Sequence, residues 1–117
     1  MPKNNFVEYV TNDLLSSLSG VSARAMFGGY GIYKDDVIFA IIVDDELYFK
    51  VNETNRKQYE QEASEQFTYQ SSKGPMKMSY WKVPENILEN PKLAAQWAMQ
   101  SFDVSKKDKN NKAKHKK

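Results

Sequence analysis

The first pattern along the chain is helical. Phe6, Val7, Val10, Leu14, Leu15 and Leu18 recur at three- and four-residue spacing, which puts them on one face of a helix over 6–18. Asn5 with Glu8 three residues later reads as a capping box, and Gly20 supplies the stop. From Ala23 onward the pattern changes to strands. Met26–Tyr33 (MFGGYGIY) carries three glycines among aromatics. Val37–Val43 (VIFAIIV) is apolar at both parities, so it predicts a central strand covered on both faces. Glu46–Val51 alternates instead, with Leu47, Phe49 and Val51 on one side and Glu46, Tyr48 and Lys50 on the other. That strand should be half-buried. Asp35-Asp36 and Asp44-Asp45 are two-residue connections suited to tight antiparallel hairpins.

The second half repeats this alternation of elements. Asn52-Glu53 opens a mostly polar helix over 53–63, anchored by Tyr59 and Ala63. Phe67–Tyr69 and Met76–Val83 form a second hairpin across SSKGP, and Pro84 ends it because proline cannot donate to the ladder. Asn90-Pro91 is an N-cap followed by proline at the first helical position. Leu93, Ala94, Trp97, Ala98 and Phe102 then stripe a final helix. The order is helix, three strands, helix, two strands, helix. Its short antiparallel connections predict an α+β fold, α-β(3)-α-β(2)-α, with an antiparallel sheet.

Charge divides the chain at residue 104. Residues 105–117 hold seven lysines and one aspartate, net +6, which leaves 1–104 at net −4. The reading is therefore one domain over 1–104 and a disordered lysine-rich tail over 105–117. Affinity for nucleic acid would reside in Lys106, Lys107, Lys109, Lys112, Lys114, Lys116 and Lys117, because an acidic body repels phosphate.

Composition also excludes chemistry. Cysteine is absent, and the single histidine, His115, lies in the lysine-rich segment. A Ser-His-Asp triad, thiolate catalysis and a two-histidine zinc site are ruled out. FGGYG at 27–31 leads into another strand rather than a helix N-terminus, so it reads as backbone geometry and not a phosphate loop. The paired aspartates lack calcium-loop spacing. No catalytic residue, cofactor site, metal site or small-molecule substrate is expected. The longest apolar run, Val37–Val43, is too short to cross a bilayer, and no secretion signal follows Met1. A cytoplasmic location is expected.

Several spaced motifs occur in one order: Met26-Phe27-Gly28-Gly29-Tyr30-Gly31, Leu47-Tyr48-Phe49-Lys50 and Ser79-Tyr80-Trp81-Lys82-Val83-Pro84. Together they resemble the N-terminal domain of the TfoX/Sxy family, bacterial regulators of competence genes, over about residues 20–102. The resemblance implies a two-layer α/β fold with an antiparallel sheet and one long bent first strand through the glycines. It implies gene regulation rather than catalysis. Family members that activate competence carry a second, helical domain, and this chain is read as the first domain alone.

Three helices are few for both faces of a five-stranded sheet. Tyr48, Tyr80 and Trp81 are therefore the candidate interface for a protein partner or a second copy.

Overall fold

The computed structural model describes residues 5–26 and 28–115, with side chains described through residue 108. Helix α1 (Asn5–Glu8) runs on as a π-helical stretch (Tyr9–Leu14). Then come β1 (Val21–Met26), β2 (Gly29–Lys34), β3 (Val37–Val43), β4 (Glu46–Lys50), α2 (Arg56–Gln61), β5 (Gln66–Ser71), β6 (Gly74–Lys82), α3 (Glu85–Leu88) and α4 (Pro91–His115). The six strands form one antiparallel sheet in the order β1-β2-β3-β4-β6-β5. The α+β class is as expected, and VIFAIIV lies third of six.

Four strands precede α2, not three. The glycine motif does not make one long bent strand: β1 and β2 pair from Val21↔Lys34 to Met26↔Gly29. Gly28 has φ +77°, the left-handed turn residue that reverses the chain there. Gly29 serves a different purpose. A Cβ on it would strike the Ile42 carbonyl oxygen of β3, so close approach of two backbones requires glycine. Both aspartate pairs sit in tight turns with positive φ at each residue (50° and 67°, 52° and 60°). That conformation matches the right-handed twist of the strands it joins.

Helix boundaries moved for local reasons. Asn5 already lies in the first turn, and helical geometry ends at Leu14 after a switch to the wider π turn, so Leu18 falls in the connection. Helix α2 is shorter than 53–63 because Asn52 and Asn55 build a side-chain-bonded turn before it: Asn55 Oδ1 accepts from the Asn52 N–H at 2.8 Å. Only Tyr59 anchors α2 in the core. Ala63 is exposed, with φ +57°, and closes a Schellman motif in which Ser64 N donates to Tyr59 O and Ala63 N to Glu60 O. At Asn90 the cap is as expected, its Oδ1 accepting from Leu93 N at 3.2 Å.

The lysine-rich segment was expected to lack structure after residue 104. Instead α4 continues through it to His115. Ser105 is buried, and the Asp108 carboxylate lies 3.5 Å from Lys50 Nζ. Burial and an ion pair with β4 tie the turn after Val104 to the sheet.

Helices and sheet share one core. Val10, Leu14, Tyr59, Ile87, Ala94 and Ala98 pack with Ile32, Phe39, Ala40, Ile42, Leu47 and Phe49. The register shows which sheet face this is. Ala23, Ile32, Ala40, Phe49 and Trp81 lie in one cross-strand row. A bulge in β3 places Phe39 beside Ala40 opposite Ile32, which lets a second large ring enter the core.

Candidate interaction face

One residue along each strand, the alternation turns to the opposite face. The row there is Arg24, Gly31, Ile41, Tyr48 and Lys82. Tyr33 and Ile38 pair on this same face, as do Lys50 and Tyr80. Ile41, Tyr33, Ile38, Tyr48 and Phe67 take no part in the core cluster shared with the helices. VIFAIIV is therefore helix-covered on one face only. On the other, its side chains are screened by neighbouring strands.

Those neighbours pack closely. Phe67 of β5 meets Tyr48 edge to face at 4.9 Å. A Cβ on Gly31 would lie 2.8 Å from Met26 Sδ and 3.0 Å from both Ile38 Cδ1 and Tyr33 Cε1. Three side chains thus fold over a position that has none. The Arg24 guanidinium stacks 4.3 Å above the Tyr33 ring and pairs with Asp36 at 2.8 Å. On the far side Lys82 pairs with Glu46 at 2.8 Å. Ion pairs border an aromatic and aliphatic centre.

Titration follows this geometry. Burial, then the neighbouring Glu46 charge, raises the Tyr48 phenol. The hydrogen bond from Lys82 to Glu46 raises the lysine. Burial pushes Tyr80 up to about 12, helped by Tyr33 and Asp108. These tyrosines stay neutral at physiological pH and offer phenol hydroxyls, not phenolates.

At the end of this face α4 closes a cleft of about 280 Å³, where Lys50 lies 5.4 Å from the Tyr80 ring. Ser101 Oγ donates to the Lys50 carbonyl at 2.8 Å and fixes the helix against β4. No cluster of histidine, cysteine, aspartate or glutamate among the described residues could hold a metal ion. No described helix is long and apolar enough to cross a membrane.

The structure brings together two of the three expected interface residues. Tyr48 and Tyr80 share the open face. Trp81 does not join them, because its register partner is Phe49 and its ring packs toward the core, 6.4 Å from Tyr59. Arg24, Tyr33, Ile38, Ile41 and Phe67 complete the face and were not foreseen. The signal was strand parity in β1, β2 and β5, usable once their pairing partners are known. Of the seven lysines, Lys106 and Lys107 are exposed on α4, Lys106 lying 5.4 Å from the Phe102 ring. The side chains of Lys109, Lys112 and Lys114 lie outside the described residues, as do Lys116 and Lys117 altogether.

An antiparallel sheet with helices on one face and a bordered apolar centre on the other defines an α+β domain. The family model described as TfoX N-terminal domain matches residues 13–105. The chain belongs to the TfoX N-terminal domain family. It is also similar to Protein Sxy of Escherichia coli (strain K12), 26% identical over 101 residues. That alignment covers 86% of this chain and 48% of Sxy, so the chain spans about half the length of this curated relative.

Proposed function

We propose that the chain is a non-enzymatic, cytoplasmic regulatory module that acts in competence-type gene regulation through protein contacts on its open sheet face. The observation that carries this reading is the face itself. Ile41, Tyr48 and Phe67 form an apolar centre outside the helix-covered core, bordered by the Arg24–Asp36 and Lys82–Glu46 pairs. Aromatic residues ringed by charge are the usual make-up of a protein contact surface. Membership of the TfoX N-terminal domain family supports the regulatory setting.

A competence-promoter reporter tests it in cells that lack the endogenous regulator. The wild-type chain should raise reporter output, and Tyr48→Asp should abolish the rise while circular dichroism stays unchanged. A fully active, folded Tyr48→Asp protein overturns the open face as the contact. A wild-type chain that leaves the reporter silent overturns the competence setting.

A second reading has its own observation: Lys106 and Lys107 stand exposed on a continuing helix, followed by five more lysines. Nucleic-acid affinity through this segment would show a salt slope no steeper than about −6, since seven lysines neutralise at most seven phosphates. Lysine-to-glutamine replacements are the proper probe. Cutting after Val104 would also remove Ser105 and the Asp108–Lys50 pair.

A further inference from the structure

The outer hairpin differs from the rest of the body in charge and exposure. β6 pairs with β4 through Tyr80, Trp81 and Lys82, and Ser79 accepts from the Val51 amide just beyond, so the β5–β6 ribbon from Met78 outward projects past the sheet as an arm. The three exposed large hydrophobic residues of the described chain are all on it: Tyr69, Met76 and Met78, at 49%, 47% and 38%. From Gln66 to Lys82 there is no acidic residue, while the body over 1–104 is net −4. Among the described residues no ion pair engages Lys73 or Lys77.

A cleft of opposite character lies at the base of this arm. Its volume is about 520 Å³, and Leu47, Val83 and Leu88 line it with apolar surface. Asp45, Glu62, Glu65 and Glu85 stand around it, and none of the four is in an ion pair among the described residues. The chain's own arm cannot fill the cleft. Lys82 is part of the cleft wall, and Gly74 at the arm's tip lies roughly 26 Å further along the same strand at ~3.3 Å per residue.

We propose that the β5–β6 arm of one copy seats in the acid-rimmed cleft of a second copy. Met76 and Met78, unbranched and flexible, fill the irregular apolar floor. Lys73 and Lys77 meet the free carboxylates, which fixes the register and speeds encounter. About a two-fold axis each chain gives its arm and receives its partner's, so the contact is made twice in the pair. The cleft shares the Lys82–Glu46 pair with the border of the open face, but the seated arm does not use Tyr48 itself.

Sedimentation velocity on the full chain tests this, from micromolar to several hundred micromolar and at two salt concentrations. The wild type should dimerise, less so at high salt. Lys73→Glu with Lys77→Glu should raise the dissociation constant about tenfold or more, and so should Glu62→Lys with Glu85→Lys. Mixing the two charge-reversed proteins in equal amounts should restore a dimer that neither forms alone. A wild type that stays monomeric overturns the proposal. So does a folded arm variant that dimerises as the wild type does, or a folded mixture that does not associate. A monomeric wild type whose arm lysines instead supply affinity for duplex DNA overturns it in favour of a nucleic-acid contact. Tyr48→Asp should leave the dimer intact, so failure here and failure of the open-face reading are read separately.

Discussion

Phe49 and Tyr48 are neighbours on β4 and end in different surroundings. Phe49 is fully buried, with Phe39 beside it and α4 packed against its strand. Tyr48 stands on the other face, half-buried, with the edge of Phe67 against its ring and the Lys82–Glu46 pair at its border. The first face is closed by helices and the second by its own side chains. Burial alone therefore does not separate the helix-covered core from the open face in this sheet. What separates them is whether the covering group comes from another layer.

The largest expected effect breaks that comparison directly. Phe49→Ala should destabilise by about 3–5 kcal/mol, because the ring leaves a cavity that helix and sheet cannot both close. Tyr48→Ala should cost about 1 kcal/mol or less, since water can enter where the ring stood. Urea unfolding of the two variants checks the pair. Equal losses would mean that the open face belongs to the stabilising core.

Alkaline titration sharpens it. Tyr80, on the open face, keeps its proton in the folded state up to about 12, against 10.0 in the unfolded chain. Its contribution is fully present below pH 10 and is lost as pH rises from 10 to about 12, where only the unfolded chain ionises. At about 1.4 kcal/mol per pH unit the loss approaches ~3 kcal/mol. Tyr80→Phe should flatten that part of the stability curve. Tyr59, buried among the helices, is also raised, as are Tyr48 and Lys82 on the open face, so the residual alkaline loss in Tyr80→Phe combines both sides.

The smallest effect lies at the edge between layers. Ala63 occupies a left-handed position that suits glycine, and Ala63→Gly should stabilise by about 0.5–1 kcal/mol by relieving that strain. A rise in Tm without change in m-value is the expected record.

Much of this was legible in the residues. The aspartate pairs named both tight hairpins, and the alternation of Leu47, Phe49 and Val51 against Tyr48 named the two faces of β4. Asn90-Pro91 marked the start of α4. The glycine motif was misread because two physical needs, a reversal at Gly28 and close approach at Gly29, leave the same residue type in the sequence. Trp81 was grouped with Tyr80 although neighbours on a strand face opposite ways. Arg24, Tyr33 and Phe67 could not be assigned to the face from their own segments, since their place depends on register with strands elsewhere. The continuation of α4 was hidden by a composition that reads as solvated charge, while the burial of Ser105 and the ion pair of Asp108 arise only in the fold.

The order of the sheet also bears on how the chain assembles. β1 to β4 form a meander in which each strand pairs with the next, and β5 pairs with β6 across a short turn. One junction joins strands distant in sequence, β4 with β6, where Lys50 meets Tyr80 thirty positions later over three residue pairs. The amides of Val51 and Val83 extend that seam through the carbonyls of Ser79 and Leu47, each at 2.9 Å. The hairpins close short loops and this junction a long one, so the seam is expected to be the slow step of folding. Hydrogen exchange at Val51 and Val83 would time the opening of that seam against the protection of the meander on one side.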